Sequence, residues 1–379
     1  MEALVLGAGA WGCSIGYHLA RGGARVTVVD RGALASGSTG KAAGVISPLL
    51  WAEEDVALVQ RSYHWFDEAC CRGDSTLHHP GEVKLVRTAA GAEQLRDHAR
   101  RWADLGLAVQ VYGPEELRSA FPGLAGETFS AGAFVPEAGF ADPYQMTAAM
   151  VREGRDHGLV LRQGLAVNGI RTSRGTVTAV ETDVGALAAD VYVLAAGTWS
   201  RKLAAWAGVA LPLKPYRAQA LVTTPLPPQN LPVVHDASTG AYFFQEAGGG
   251  ILVGDGTQES EFDPDGFSTE ADFEFVSAGT GRLQEMLPAA AGASLVRGWA
   301  GLCGATPDRR PLVGFHRELS NLFVACGDNG FGFMRAPALG ECAAAMIQGT
   351  PPPVNLRTFD VNRFRGDETF AIHQGFTLA

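Results

Sequence analysis

Three glycines near the start of the chain have the spacing of a turn that binds phosphate. Gly7, Gly9 and Gly12 follow the apolar run at residues 3–6 in G-x-G-x-x-G register. In such a turn the first glycine permits a tight bend, the second lets the backbone reach a pyrophosphate, and the third lets the helix pack closely on the strand. Amides at the start of that helix face the phosphates. The spacing predicts a dinucleotide site; a tight turn that binds nothing would not need these three glycines.

An acidic residue closes the next predicted strand. The apolar run at residues 25–29 ends at Asp30, after a helix predicted from the spacing of Trp11, Ile15 and Leu19. An acid at this place accepts hydrogen bonds from the ribose hydroxyls of an adenosine. Strand, glycines, helix, strand and acid thus stand in the order that a nucleotide-binding unit requires.

A loop of small residues follows directly. Residues 35–48 read A-S-G-S-T-G-K-A-A-G-V-I-S-P, and Lys41 is the only charge among them. Such a loop is either a flexible connection or a segment whose amides and hydroxyls wrap a cofactor. Its position directly after the ribose acid favours the second interpretation.

The predicted elements that position these residues alternate between strand and helix at first, and a strand that begins at residue 81 then breaks this alternation. A strand at residues 81–87, a charged helix at 92–105 and an alternating strand at 129–135 predict an inserted, mostly antiparallel second domain. The apolar run at 189–196 then meets Gly197, which makes a second strand-to-glycine turn. The length gives a prior of two to three domains.

The C-terminal half repeats this strand-to-glycine pattern. Residues 159–170 are strand-like, and a last buried strand is expected at 322–325, directly before the glycine-rich segment 327–337. Proline is tolerated in the first turn of a helix, so we expect a helix from about Pro337 to Gln348. Residues 351–379 are expected to form a mostly irregular tail.

Composition excludes some partners. The chain of 379 residues has a formal net charge of −10, with 46% hydrophobic and 18% charged residues. Nucleic acid and anionic membranes attract basic surfaces, so neither is an expected partner. No apolar run reaches the roughly 18 residues of a membrane span, and the start Met1-Glu2 lacks the positive charge of a secretory signal. We therefore predict a cytoplasmic protein.

The cysteines show no metal-binding pattern. None of them forms a C-x-x-C pair, and two are adjacent, which is a poor geometry for a disulfide. We predict that all six pack as small hydrophobic residues in a reducing compartment and that no metal is bound. They are Cys13, Cys70, Cys71, Cys303, Cys326 and Cys342.

Four motifs together resemble a known family. The N-terminal glycines, A-A-G-T-W-S at residues 195–200, T-P-D-R-R-P at 306–311 and G-F-G-F-M-R-A-P at 330–337 resemble the D-amino-acid oxidase superfamily of FAD-dependent oxidoreductases. The chain is most similar to its branch of sarcosine oxidases and dehydrogenases, glycine oxidase and dye-linked proline dehydrogenase. Residues 298–308, G-W-A-G-L-C-G-A-T-P-D, resemble the beta subunits of the multi-subunit members.

The resemblance implies an α/β (α+β) protein with two domains. A discontinuous Rossmann-like domain would bind extended FAD, and a second domain with a mixed, largely antiparallel sheet would cover the flavin ring. The expected ranges are 1–80, 140–212 and 300–379 for the FAD-binding domain, and 81–139 and 213–299 for the substrate domain.

The resemblance also assigns cofactor contacts to individual residues. The first glycines would hold the pyrophosphate, residues 38–44 the ribityl chain and ring, the backbone of Val167 the adenine, and residues 330–334 the pyrimidine edge of the flavin. The full set is Gly7, Gly9, Ala10, Trp11, Gly12, Asp30, Arg31, Ser38, Thr39, Ala42, Ala43, Gly44, Val167, Ala196, Gly197, Trp199, Gly327, Gly330, Phe331, Gly332, Phe333 and Met334.

A helix after the last glycine loop gives this placement a physical reason. A helix that begins near Ala336 directs its positive end and its unpaired N–H groups toward the loop. Negative charge develops on the pyrimidine edge of reduced flavin, and a fixed dipole at that edge stabilises it.

The chain departs from its relatives where they bind substrate or flavin. Met334 and Gly330 stand where related single-chain sarcosine oxidases have a lysine and glycine oxidase an arginine for the substrate carboxylate, and Phe331 replaces the usual histidine. Cys303 lies two residues after the position at which some relatives attach flavin covalently. We therefore expect non-covalent FAD.

A carboxylate substrate still calls for a cation. The candidates for catalytic residues are Arg217, Lys41 and Arg335, in that order, with Tyr242 as a hydroxyl in the sheet above the flavin. Each has a plain alternative: an edge-strand charge, a solvated loop residue, a surface residue in a first helical turn, and a packed tyrosine. We expect Arg217→Ala to raise the Michaelis constant.

The predicted reaction is oxidation of the C–N bond of a small amino acid or secondary amine, similar to sarcosine, glycine or proline. Hydride leaves the carbon beside the nitrogen for the flavin, and water hydrolyses the imine. The electron acceptor is oxygen or a dye- or quinone-type compound.

Two other functions remain as alternatives. The chain could be the flavin-bearing subunit of a multi-subunit amine or opine dehydrogenase, with partner subunits. A nicotinamide dehydrogenase is the third alternative, but it does not explain the distal glycine loop.

Overall fold

The apolar run after Met1 forms an inner strand of a six-stranded sheet. A computed structural model of the chain describes residues 1–125, 128–254, 259–260, 263–364 and 370. In that part, the strands of this sheet lie in the order β20-β21-β13-β1-β2-β9. All pairs are parallel except β20 with β21. The strands are β1 Glu2–Leu6, β2 Arg25–Asp30, β9 Val160–Gln163, β13 Val191–Leu194, β20 Leu312–His316 and β21 Leu319–Cys326.

A second sheet lies over the first nucleotide turn and the last glycine loop. Within the described ranges it has nine strands, in the order β18-β14-β17-β16-β15-β5-β7-β6, with β19 beside β14. Only β15 and β5 pair in parallel. The strands are β5 Glu82–Val86, β6 Gln110–Tyr112, β7 Ala131–Val135, β14 Lys214–Thr223, β15 Val233–Asp236, β16 Tyr242–Gln245, β17 Ile251–Gly254, β18 Glu259–Ser260 and β19 Leu295–Ala305.

Two small sheets complete the strands. One is the meander β10-β11-β12, and the other is β3-β8-β4, which connects the loop after β2 to the segment before β5. Their strands are β3 Val45–Ile46, β4 Leu77–His78, β8 Gly139–Ala141, β10 Val167–Ser173, β11 Thr176–Thr182 and β12 Gly185–Leu187.

The helices pack mainly around the parallel sheet. The apolar face of α1 lies against α8 and α5, and small residues make the contact close: a Cβ atom added to Gly340 would lie 2.0 Å from Oγ of Ser14. The helices are α1 Ala10–Arg21, α2 Glu53–Cys71, α3 Ala89–Asp104, α4 Pro114–Ala120, α5 Pro143–Asp156, α6 Ser200–Trp206, α7 Phe273–Met286 and α8 Gly332–Ile347. No helix in the described ranges combines the length and apolar character needed to cross a membrane.

Two sequence predictions about elements were wrong in their bounds. Residues 159–170 form two strands, β9 and β10, because Gly164 takes a positive φ of 70° and sends them to different sheets. The last helix begins at Gly332 rather than near Pro337. The proline lies inside α8, where the buried side chains of Phe333, Met334 and Ala336 supply packing that offsets its lost hydrogen bond.

The mixed α/β fold with a parallel nucleotide sheet and a second, mostly antiparallel sheet is confirmed. The strands of the parallel sheet fall within 1–80, 140–212 and 300–379, as expected. The expected boundary at residue 300 falls inside β19, which belongs to the nine-stranded sheet. The division into two domains stays a prediction. Of the predicted irregular tail, residues 365–369 and 371–379 lie outside the described residues.

Candidate functional site

A cavity of about 860 Å³ lies between the two large sheets. Three separate stretches of chain form most of its floor: the turn before α1, the loop of small residues after β2, and the glycine loop before α8. Every residue predicted to bind the cofactor lines this cavity except Gly12. The tertiary structure therefore brings together residues that lie more than 300 positions apart in the chain.

The turn before α1 fits a pyrophosphate. Gly7 has φ of 117°, and a Cβ atom there would lie 2.4 Å from the carbonyl oxygen of Ala195. A Cβ atom on Gly12 would lie 1.9 Å from the carbonyl oxygen of Gly7. The third glycine is therefore needed for close packing of the helix and does not line the cavity. Gly9 caps α1 without a side-chain hydrogen bond. Gly9, Ala10 and Trp11 line the cavity, so the start of α1 lies at its wall, as a phosphate site requires.

Asp30 lines the cavity and also fixes the glycine turn. Its Oδ2 accepts a hydrogen bond from the amide of Ala8 at 2.8 Å, and its Oδ1 accepts one from the amide of Gly32 at 2.7 Å. A carboxylate has about four acceptor positions, so both oxygens can also accept from ribose hydroxyls. The predicted ribose ligand therefore has a second, structural task.

A charged cluster that the sequence did not predict closes the adenosine end. Asp265 binds Arg31 at 2.7 Å, the indole nitrogen of Trp199 at 2.9 Å and Lys202 at 2.5 Å. Arg31 also lies over the Trp199 ring, 5.0 Å from its centre. Hydrogen bonds from Lys202 and Arg31 hold the pKa of Asp265 well below its ordinary value. No motif marks Asp265, because its partners come from two other parts of the chain.

The glycine loop before α8 is held from behind by Arg335. The guanidinium is buried, with Nε donating to the carbonyl of Phe331 at 3.0 Å and Nη2 to that of Asp328 at 2.5 Å. It also forms an ion pair with Asp55 on α2. Arg335 lies outside the cavity lining, so its predicted role as a substrate ligand is corrected to that of a brace for the loop.

Because α8 begins at Gly332, its positive end lies closer to the glycine loop than the sequence predicted. Phe331 is the cap residue, and it provides no side-chain hydrogen bond to the helix. Because Gly332, Phe333 and Met334 all line the cavity, the unpaired first-turn amides of α8 lie at the cavity wall itself. Together the phosphate turn, the ribose acid and this helix end fit FAD.

Arg217 does not reach the cavity. Its buried side chain donates from Nε to the carbonyl of Ser268 at 3.1 Å and forms an ion pair with Asp272. Tyr216 and Ala218, its neighbours on β14, do line the cavity, since successive side chains of a strand point to opposite faces. The prediction that Arg217 binds the substrate is therefore corrected.

Lys41 and Tyr242 do line the cavity. Nζ of Lys41 donates to the carbonyl of Ser36 at 2.8 Å, and burial together with the charge of Arg297 lowers its pKa. Tyr242 packs its ring against β17, where a Cβ atom on Gly254 would lie 2.4 Å from it. These two predicted candidates thus stay in the site.

Three further polar residues in the cavity wall were missed. Glu82 and Lys84 are each 2% exposed, and His235 lies beside them on β15. The signal was present in the sequence: two opposite charges two positions apart in the apolar strand β5 share one face of the sheet. Their pairing with His235 depends on the parallel contact of β5 with β15, which no local pattern predicts.

The departures from the relatives also have a structural basis. Gly330 has φ of 87°, and a Cβ atom there would lie 2.9 Å from the hydroxyl of Tyr216. An arginine at this position would be strained and would collide with Tyr216. Met334 and Phe331 line the cavity as apolar residues, so the loop itself offers no cation to a substrate.

Comparison with known proteins identifies the family. The family model described as DAO, FAD dependent oxidoreductase, matches residues 2–346. The chain belongs to this family. It is therefore an FAD-dependent oxidoreductase, and the FAD predicted from the sequence is confirmed.

Individual relatives differ in length and substrate. The chain is 27% identical to mitochondrial dimethylglycine dehydrogenase of Rattus norvegicus over 96% of its own length, but spans only 45% of that protein. It is 25% identical to sarcosine oxidase subunit beta of Rhodobacter capsulatus, covering 96% of the chain and 88% of the relative. The crystal structure of L-proline dehydrogenase from P. horikoshii superimposes with a TM-score of 0.90 at 27% identity, covering 96% and 97% of the two chains.

Proposed function

We propose that this member of the family oxidises the C–N bond of a small amino acid or secondary amine similar to sarcosine, glycine or proline. The observation that carries the proposal is the single cavity that runs from the phosphate turn at Gly7 to a chamber under β15 and β16. FAD, when bound, supplies the acceptor for the hydride that leaves the carbon beside the nitrogen. The chain binds and orients the amine.

The residues around this chamber have separate tasks in the proposal. The first-turn amides of α8 stabilise negative charge that develops at the adjoining edge of the cofactor. The sheet above excludes water, so that electrostatic interactions within the chamber are strengthened. Lys41 and Tyr242 are the proposed contacts for a substrate carboxylate. The imine product is hydrolysed by water outside the chemical step.

The test is an absorption spectrum followed by anaerobic titration. We expect flavin bands in the blue and near-ultraviolet, and bleaching of the blue band by at least one of sarcosine, glycine, L-proline, other N-methyl amino acids or opines. Dithionite serves as the control for a reducible flavin. A flavin that dithionite bleaches but none of these donors reduces would contradict the proposal.

The alternative is a flavin-bearing subunit that needs partners for full activity. Similarity to a sarcosine oxidase beta subunit favours it, whereas similarity over 97% of the length of glycine oxidase from Geobacillus kaustophilus, whose name includes no subunit, favours an enzyme active alone. Gel filtration combined with turnover of the purified chain, with oxygen and with a dye, separates the two. The cytoplasmic location and the identity of the electron acceptor remain predictions.

A further inference from the structure

Glu82 is a buried carboxylate in the wall of the cavity, and one of its oxygens has no partner. Oε1 lies 3.5 Å from Nδ1 of His235 and 3.9 Å from Nζ of Lys84. Oε2 is buried without a hydrogen bond. Leaving a buried polar group unpaired is destabilising, and the effect is larger for a charged group. An unpaired atom of this kind calls for an explanation.

The carboxylate is held in its ionised form. Burial alone would raise the pKa of Glu82, but the charge of Lys84 and the adjacent imidazole of His235 outweigh it and lower the pKa below its ordinary value. Burial and the charge of Lys84 lower the pKa of His235, so its imidazole is neutral at pH 7. The free oxygen of Glu82 is therefore an acceptor for hydrogen bonds.

The ammonium group of Lys84 is held near Glu82 by contacts of its own. Its Nζ donates to the carbonyl of Leu49 at 2.7 Å and lies 4.9 Å from the ring centre of Trp51. These contacts keep the ammonium group in place, where its charge stabilises the carboxylate.

The side chain of Glu82 lines the proposed substrate chamber. Lys84 pairs with His235 across β5 and β15, and His235 pairs with Tyr242 across β15 and β16, so the three side chains share a face of the sheet. Glu82, two residues before Lys84, is on that face. Ser47 and Leu50, at the end of the small-residue loop, line the cavity beside them.

We propose that Oε2 of Glu82 accepts a hydrogen bond from the N–H of the substrate amine. The inference rests on the proposed function and narrows its substrate class to amines that carry at least one N–H when they bind. Ethers and quaternary ammonium compounds of the same shape lack that donor and leave the carboxylate oxygen unpaired. Lys84 and His235 position Glu82 and do not contact the amine.

The test measures how strongly a variant without the charge of Glu82 binds an amine and the ether analogue of that amine. Glu82→Gln keeps the shape of the side chain and removes its charge. We measure anaerobic flavin reduction over a range of sarcosine, glycine and L-proline concentrations, and the dissociation constant of methoxyacetate from the change in flavin absorption. The hydrogen bond to a charged group is worth about 1.5–3 kcal/mol, so the half-saturating amine concentration should rise about 10- to 150-fold. Methoxyacetate binding should be unchanged.

Glu137 provides a matched control. Its Oε2 is also buried without a hydrogen bond, but the residue does not line the cavity. Glu137→Gln should change neither measurement. If Glu82→Gln fails to retain flavin, the double variant Glu82→Gln with Lys84→Met removes the lone buried ammonium. It should show the same loss of preference for the amine over the ether.

The outcomes separate this inference from the proposed function. If the unaltered protein is reduced by an amine and the Glu82 variants bind that amine as well as it does, the inference is overturned and the proposed function stands. An equal loss of amine and methoxyacetate binding also overturns it, because the effect would then be on the shape of the chamber. If no donor of the full panel used to test the proposed function reduces the unaltered protein, the proposed function falls, and the inference falls with it.

Discussion

At the scale of single residues, the direction of a side chain decides its task. Arg217 and Tyr216 are neighbours in the sequence, yet the tyrosine lines the cavity and the arginine pairs with Asp272 on the other face of β14. Residue type made Arg217 the first candidate for binding a carboxylate. Because side chains alternate along the strand, Arg217 points away from the cavity and contributes to the stability of the sheet instead.

Replacing Arg217 should therefore affect stability rather than substrate binding. We expect Arg217→Met to lower the free energy of unfolding by about 1–3 kcal/mol, because the hydrogen bonds to Ser268 and Asp272 are lost. Asp272 is 39% exposed and can be solvated, which limits the loss. Urea unfolding measures the change, and the half-saturating substrate concentration should stay as it was. A rise in that concentration at unchanged stability would return Arg217 to the site.

The chemistry of Cys303 is also decided by its surroundings. The thiol lies in the cavity wall, but burial and the charge of Asp328 raise its pKa, so the nucleophilic thiolate is not formed at neutral pH. Acid precipitation of the purified protein should release all of the yellow cofactor into the supernatant as FAD. Colour retained in the pellet after washing would show a covalent link, and Cys303→Ala would then test whether this residue forms it.

At the scale of elements, α8 joins the nucleotide sheet to the glycine loop. Its first turn begins in the loop, its middle packs on α1 and α2, and Arg335 connects that turn to Asp55. In the proposed site, the flavin edge would therefore be positioned by a helix that is itself fixed by two others. A substitution of a residue that supports the loop should therefore change cofactor binding.

Removing the brace should loosen the loop. We expect Arg335→Met to lower the free energy of unfolding by about 3–5 kcal/mol, the usual effect of breaking a buried ion pair, and to weaken FAD binding. Adding Asp55→Asn should recover part of the stability, because the carboxylate no longer lacks its partner. Arg100→Met, which alters an exposed pair with Asp97, is the control and should change neither property. Unaltered FAD affinity in Arg335→Met would contradict the role of brace.

At the scale of the whole molecule, the cofactor site joins parts that are distant in sequence. The cavity takes its walls from both large sheets, so a molecule bound there contacts both of them. Ligands that bind only the folded state stabilise it by mass action. FAD should accordingly be a major contributor to stability.

Thermal unfolding with added cofactor tests this expectation. At an FAD concentration one hundred times its Kd, the free energy of unfolding should rise by about 2.7 kcal/mol over the apoprotein, and Tm should rise with it. Riboflavin, which lacks the pyrophosphate and adenosine, should raise Tm less at the same concentration. Equal effects of the two compounds would mean that the phosphate turn and Asp30 contribute nothing to binding.

The nucleotide-binding half of the site could be predicted from local patterns in the chain. The glycine turn, the ribose acid and the small-residue loop are contiguous, and their conformations follow from local rules on glycine, strand and helix. All of them meet in one cavity as expected. The motifs at residues 195–200 and 330–337 added the distal pieces through a resemblance rather than through local rules.

The substrate half depends on contacts between segments that are distant along the chain. The contact of Glu82 with His235 requires β5 and β15, which lie about 150 residues apart, to pair in parallel. Arg217 and Arg335 lie outside the cavity because side chains alternate along a strand and because their partners belong to other elements. Polar side chains in a sheet acquire their function from neighbours that the chain brings in from elsewhere, and those neighbours are set by global packing rather than by spacing along the sequence.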